Sequence, residues 1–262
     1  MKTLTKDNLR VEIYDTRAEM GAAAGTLAAR RIRDALAEKS EVNVIFAAAP
    51  SQNEMLEALV AAPDIDWGRV NAFHMDEYIG LTREAPQCFG NFLKDHIFGK
   101  LPFKTVNYID CEATDMEAEC ARYTALLRQF PVDIVLLGIG ENGHVAFNDP
   151  PVADFQDPAL VKIVELDPVC RQQQVNDGCF ARLDLVPKFA LTLTVPALMA
   201  GQHLVCTVPA ATKARAVKQT VNGPIGEHCP ATAMRRHESA VLFCDRDSGG
   251  DLTWSQRSQT AG

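Results

Sequence analysis

The sequence predicts an α/β fold: a single domain with a central, mainly parallel sheet and helices on both faces. Three observations carry this prediction. Short β-branched or apolar runs alternate with longer amphipathic stretches, and the strand-then-helix succession recurs along the chain. The 262 residues, 47% hydrophobic and 23% charged, suit one large α/β domain with a sizeable core. No internal repeat points to a solenoid or a propeller.

Taken in order, residues 9–14 (LRVEIY) read as a strand, and residues 18–39 carry apolar positions at helical spacing before ending in charge. Residues 42–48 form the next strand, with a helix from Ser51. Further strands are expected at 70–73, 134–138, 190–195, 204–208 (followed by a helix from Thr212) and 240–244. The domain then spans residues 1–246. Residues 247–262, rich in Ser, Gly, Gln and Thr, are expected to be a mobile tail. In open sheets of this kind ligands collect beyond the carboxyl ends of the strands, which singles out loops 49–53, 74–81, 138–151 and 209–213.

Composition narrows the function. A net charge of −8 argues against a nucleic-acid partner, so an anionic substrate needs a local basic pocket. No apolar run approaches the ~20 residues that cross a bilayer, and the polar residues 1–7 lack the apolar core of a secretory signal. No membrane partner is expected, and the cytoplasm is the expected location. The eight cysteines read as reduced thiols. None has the C-x-x-C or C-x-x-H spacing of a zinc site, and no H-E-x-x-H occurs, so no structural metal is expected.

Two loops offer chemistry. In "GIGENGH", Gly138, Gly140 and Gly143 allow a sharp turn and close approach to a ligand. This is not a G-x-G-x-x-G fingerprint, because His144 and an apolar VAF follow where a helix would be required. His144 lies close in sequence to Asn142, Asp149 and Glu141, and an imidazole oriented by a side-chain acceptor suits acid/base work near neutral pH. In "FHMDEYIGL", the paired carboxylates Asp76 and Glu77 are framed by Phe73, Met75, Tyr78, Ile79 and Leu81. That apolar frame would desolvate a carboxylate and raise its pKa into the range of a carbon-acid base.

Anion recognition is the third theme. Ser51 and Glu54 in "AAAPSQNEML" have the spacing of a capping box, and the same helix start could present Ser51, Gln52 and Asn53 to an anion. Lys213, in "PAATKARAV", places a cation in the first turn of a helix, where the macrodipole disfavours it by ~0.3–1 kcal/mol unless an anion sits nearby. Lys162 and Arg171 are further basic candidates in an otherwise acidic segment.

"FHMDEYIGL", "LGIGENGHVAFNDP", "VPKFALTLTVPAL" and the "TKARAV" helix together resemble the glucosamine-6-phosphate deaminase (isomerase) family, with fitting spacing from about residue 9 to residue 245. The resemblance implies a Rossmann-like domain. It also implies a reaction in which an amino-sugar 6-phosphate opens its ring, isomerises from aldose to ketose and loses ammonia. The product is fructose 6-phosphate from glucosamine, or tagatose 6-phosphate from galactosamine. It implies no redox cofactor and no metal. By position, Asp76 would take the C2 proton and return it at C1 through an enolamine, His144 would shuttle the ring-oxygen proton, and Asp149 would hold His144. The substrate contacts expected are Ser51, Gln52, Gly140, Lys162, Arg171 and Lys213.

The sequence departs from the family in places. Asn142 stands where many members carry aspartate, and Asp149 where glutamate is frequent. Residues 49–53 replace a T-G-G-T-P-like stretch, and Leu160, Ala153 and Gln174 occupy positions that are basic in better-known members. A second reading is 6-phosphogluconolactonase activity, but Tyr78 replaces the arginine of its D-E-R motif, and "GHVAFNDP" replaces its G-H-T-A-S-L-F-like stretch. A third is a non-catalytic sugar-phosphate sensor. Asp76 and His144 would be superfluous there, and the chain begins almost directly with the first strand, where such sensors carry a DNA-binding module. A homo-oligomer is compatible with the sequence, since the resembling family includes monomers and hexamers.

Overall fold

The computed structural model describes residues 1–252. Among these, eleven strands run in chain order: β1 (Lys2–Lys6), β2 (Leu9–Ile13), β3 (Val42–Phe46), β4 (Val70–His74), β5 (Asp76–Tyr78), β6 (Thr105–Asn107), β7 (Ile134–Leu137), β8 (Val161–Glu165), β9 (Phe189–Leu193), β10 (His203–Val208) and β11 (Ala240–Cys244). Eight helices join them: α1 (Arg17–Glu38), α2 (Asn53–Val60), α3 (Phe89–Leu93), α4 (Met116–Gln129), α5 (Pro168–Asn176), α6 (Val195–Met199), α7 (Ala214–Asn222) and α8 (Arg246–Gly249).

The main sheet has the order β1-β2-β11-β10-β7-β3-β4-β6. Every pairing in it is parallel except the edge pair of β1 with β2. Its central strands are buried on both faces, and period-2 alternation sends successive side chains to opposite cores. In β7, Ile134 and Leu136 join a core with Met20, Ala24 and Ile32 of α1 and Met55, Leu56 and Leu59 of α2. Val135 and Leu137 join the other, with Tyr123 and Leu127 of α4, Leu198 of α6 and Val217 of α7. Helices therefore cover both faces, as the alternating pattern requires.

Chain order produces the crevice. From β3 the chain moves outward through β4 and β6, then returns to place β7 on the other side of β3 and continues outward through β10 and β11. The loops leaving β3 and β7 part at this reversal, which is where open parallel sheets accept ligands.

Three expectations change. Residues 190–195 are not part of the parallel sheet: β9 is the centre of a separate antiparallel sheet, β5-β9-β8. An apolar run such as FALTL carries the same signature in either setting. The capping box at Ser51 and Glu54 does not form, because residues 50–52 make a 3-10 turn and α2 begins at Asn53 with no side-chain cap. Arg17 takes the Glu54 carboxylate instead, at 2.6 Å.

Packing also continues past residue 246. Asp245 caps α8 through Ser248 N–H at 2.8 Å, and Ser248, Gly249 and Leu252 are buried. The first residues of the expected mobile tail are thus part of the domain, and the rest of it, 253–262, lies outside the described residues.

Candidate active site

All four loops singled out above meet in one cleft at the carboxyl ends of β3, β4, β7 and β10. Its lining includes Arg17, Ser51, Gln52, Asp76, Gly138, Gly140, His144, Gln173, Gln174, Thr212 and Lys213.

Asp76 opens β5, two residues after β4 ends, and pairs with Thr192 of β9. The turn between the strands is held by buried side chains. His74 Nε2 accepts the Ile109 N–H at 2.9 Å, which leaves the ring proton on Nδ1 to donate to the Asp76 carbonyl at 2.9 Å. Burial pushes His74 down to about 4, so the ring stays neutral. The Tyr123 hydroxyl closes the same turn, accepting from His74 N–H at 3.0 Å and donating to its carbonyl at 2.9 Å.

Asp76 is 7% exposed, and no hydrogen bond to its carboxylate forms among the described residues. Burial, with the neighbouring charge of Glu77 added, raises its pKa well above the ordinary carboxylate value. Glu77 points away from the cleft lining and accepts the N–H groups of Tyr78, Phe89 and Gly90 at 2.9, 3.0 and 2.9 Å. Burial outweighs those donors and lifts Glu77 to about 7. The apolar frame read from the sequence thus acts on both carboxylates.

The histidine loop turns through two glycines. Gly143 has a φ of +88°, and a Cβ there would meet Cys229 Sγ at 2.6 Å. At Gly140 a Cβ would meet the His144 ring at 2.0 Å, so only glycine lets the imidazole fold back over the turn. Asn148 fastens the loop to β9, donating to the carbonyls of Val145 at 2.9 Å and Leu193 at 2.8 Å.

His144 Nδ1 lies 2.8 Å from Asn142 Oδ1 and 2.9 Å from Asp149 Oδ1. Asn142 Nδ2 donates to that same Asp149 oxygen at 2.8 Å, so both neighbours of Nδ1 are acceptors. The network places the proton on Nδ1 and leaves Nε2 as the acceptor available to the cleft. Burial opposes ionisation of Asp149, but the imidazole and Asn142 outweigh it, and its pKa lies below the ordinary value. Asn142 and Asp149 stand behind the ring and do not line the cleft.

At the anionic end, Lys213 closes the short turn Ala211–Lys213 before α7 and is 6% exposed. Its ammonium has no ion pair or hydrogen bond among the described residues, and burial lowers its pKa. The loop before it is strained: Ala210 has φ +80° and ψ 148°, a region that glycine occupies freely and alanine does not. Asp245 holds it there, accepting the Ala210 N–H at 2.9 Å. Gln52 Nε2 donates to Ser51 Oγ at 2.9 Å, and Gln52 Oε1 accepts from the Thr207 hydroxyl at 3.0 Å.

Two expected substrate contacts lie elsewhere. Lys162 donates to the Val152 carbonyl at 2.7 Å and pairs with Asp157 at 2.8 Å. Arg171 donates to the carbonyls of Leu183 and Val186 at 2.8 and 2.7 Å. Neither lines the cleft: the Lys162 ammonium is turned to Val152 and Asp157, and the Arg171 guanidinium to the Leu183 and Val186 carbonyls. The structure brings in Arg17 and Gln173, which sequence reading passed over, and Gln174, which it named only as a departure from the family. Arg17 enters from the start of α1, its guanidinium held by Glu54 and by the Pro50 carbonyl. Gln173 and Gln174 enter from α5, with Gln173 Oε1 accepting the Glu141 N–H at 2.8 Å.

Comparison with known proteins places the fold and the family. The sequence profile of the family described as glucosamine-6-phosphate isomerases/6-phosphogluconolactonase matches residues 15–243. A glucosamine-6-phosphate deaminase of Listeria innocua is 33% identical over 229 residues, covering 87% of this chain and 96% of that protein. One of Lactobacillus delbrueckii subsp. bulgaricus is 29% identical over 238 residues, covering 91% and 97%. Among solved structures, a monomeric glucosamine-6-phosphate deaminase superposes with a TM-score of 0.84 at 27% identity, over 92% of this chain and 98% of that one. A 6-phosphogluconolactonase from Thermotoga maritima shares the fold, with a TM-score of 0.73 at 20% identity over 90% and 98%. With its profile match across most of its length and a relative above 30% identity, this chain belongs to the glucosamine-6-phosphate isomerase/6-phosphogluconolactonase family.

Proposed function

We propose that the chain is an amino-sugar-phosphate deaminase, converting glucosamine 6-phosphate, or its galactosamine equivalent, to the ketose 6-phosphate and ammonia. The observation that carries the reading is a pair of buried charges of opposite sign in one cleft, Asp76 and Lys213, neither with a partner among the described residues. Leaving such groups unpaired costs free energy that a ligand recovers on binding. A sugar phosphate supplies both partners: an anion for Lys213 and an acidic C–H for Asp76.

In this mechanism the phosphate sits at Lys213, near Ser51, Gln52 and Thr212. Gly140 gives the sugar ring close approach to the loop. His144 Nε2 accepts and returns the proton that moves when the pyranose opens. Asp149 and Asn142 hold the ring through Nδ1, and the charge of Asp149 stabilises the imidazolium that forms. Asp76 removes the C2 proton to give an enolamine and delivers it to C1. Water then adds at C2, the nitrogen leaves as ammonia, and the ketose remains. The substrate is a soluble phosphorylated sugar, which suits an enzyme of the cytoplasm.

Ammonia release from glucosamine 6-phosphate and galactosamine 6-phosphate, measured beside hydrolysis of 6-phosphogluconolactone, tests the proposal. Ammonia from an amino sugar, with no more than background lactone hydrolysis, is the expected outcome. Lactone hydrolysis without ammonia would replace it with the second activity named in the family's description.

A further inference from the structure

Behind the imidazole lies a side chain that the mechanism leaves unused. Cys170, in the first turn of α5, is 1% exposed. Its Sγ joins a His144 ring nitrogen and an Asp149 carboxylate oxygen in a buried cluster whose three donor atoms all lie within 4.8 Å of one another. The second carboxylate oxygen, Asp149 Oδ2, is buried without a well-aligned hydrogen bond among the described residues, with the Cys170 thiol and the Asp167 N–H as the donors that approach this carboxylate. A buried carboxylate oxygen in that condition calls for a cation or a donor.

The donor chemistry is selective. An imidazole nitrogen, a carboxylate oxygen and a thiolate sulfur suit zinc-class ions, whereas magnesium and calcium prefer oxygen throughout. Metal–ligand bonds of about 2.0–2.3 Å place neighbouring tetrahedral ligands about 3.3–3.6 Å apart, so donor atoms that all lie within 4.8 Å of one another need only draw together around an ion. Asn142, hydrogen-bonded to Asp149 Oδ1, orients the carboxylate from outside the cluster. The spacing of residues 144, 149 and 170 matches no zinc motif, so the sequence did not show it.

We propose that His144, Asp149 and Cys170 bind one thiophilic divalent cation of the zinc class, and that its binding switches the enzyme off. The inhibitory half rests on the role given to His144 above; the binding half does not. On binding, the Cys170 thiol proton leaves to solvent and the imidazole proton moves from Nδ1 to Nε2. The cation then bonds to the thiolate, to the freed Nδ1 lone pair and to the carboxylate, with no electron transferred. Nε2 becomes a fixed donor and can no longer accept the ring-opening proton. Because a proton is released, the cation binds more tightly as pH rises.

Cobalt(II) titrated into the whole protein tests the site. The expected result is a sulfur-to-cobalt charge-transfer band that saturates at one equivalent and is displaced by zinc. It should be absent from Cys170→Ser and intact in Cys179→Ser, with Cys170→Ala used if the serine variant does not fold. One equivalent of zinc should lower ammonia release about tenfold or more, EDTA should restore it, and Cys170→Ser should need about tenfold more zinc. No band, or a band that survives loss of the Cys170 sulfur, overturns the site. A band with undiminished ammonia release overturns the inhibition. If cobalt binds as expected but the metal-free protein releases no ammonia, the proposed function fails and the site stands.

Discussion

His144 Nδ1 lies 2.9 Å from Asp149 Oδ1, and Asn142 reaches both groups from one side chain. The carboxylate is the only formal charge in this trio, so it stabilises the imidazolium formed during ring opening. Asp149→Asn keeps the size and removes the charge. Turnover should fall about 10–100-fold with little change in KM, as steady-state kinetics would show. An unchanged kcat would mean that His144 needs no carboxylate behind it.

The pH profile should report Asp76. A base must be ionised, and burial with the Glu77 charge raises Asp76 well above the ordinary carboxylate range. The acidic limb of kcat/KM should therefore lie well above pH 4. Glu77→Gln removes the neighbouring charge, so Asp76 ionises more readily and the limb should move to lower pH. A limb near pH 4 in the parental enzyme would contradict the desolvated base.

Lys213→Met removes the cation that has no protein partner. A charge-assisted hydrogen bond to phosphate is worth about 1.5–3 kcal/mol, so KM should rise about 10–150-fold. Inorganic phosphate should lose its competitive inhibition in parallel. Lys162→Met should leave KM unchanged, because its ammonium is spent on Asp157 and Val152.

Ala210→Gly should stabilise the fold. Alanine at φ +80° and ψ 148° stores about 1–3 kcal/mol of backbone strain, which glycine relieves, less the extra freedom glycine has in the unfolded chain. A higher denaturant midpoint at unchanged m-value is the expected reading. A lower midpoint would show that the Asp245 hydrogen bond holds this loop without strain.

Much of the catalytic end was legible in the sequence. Asp76 follows an apolar strand, and His144 follows glycines that permit one kind of turn, so local chemistry and position agree. The anionic end was only partly legible. Lys213 stood out because the sequence reads as placing it in a helix's first turn, unfavourable without an anion; it in fact closes the short turn just before α7. Lys162 and Arg171 looked equally available, since sequence does not reveal that Asp157 or two distant carbonyls will take them. Arg17 lay just before the helix read at residues 18–39, where nothing marked it as more than a surface charge. The segment after residue 246 looked like tail by composition, yet Asp245 and Ser248 make it a brace for the Ala210 loop.

The central claim is that Asp76 moves the proton between C2 and C1. Solvent deuterium incorporation into the sugar phosphate, followed by NMR for the parental enzyme and Asp76→Asn, measures that step. The account predicts incorporation by the parental enzyme, a loss of about 10²–10⁴-fold in the variant, and retained binding of the sugar phosphate. Incorporation by Asp76→Asn at the parental rate would contradict it.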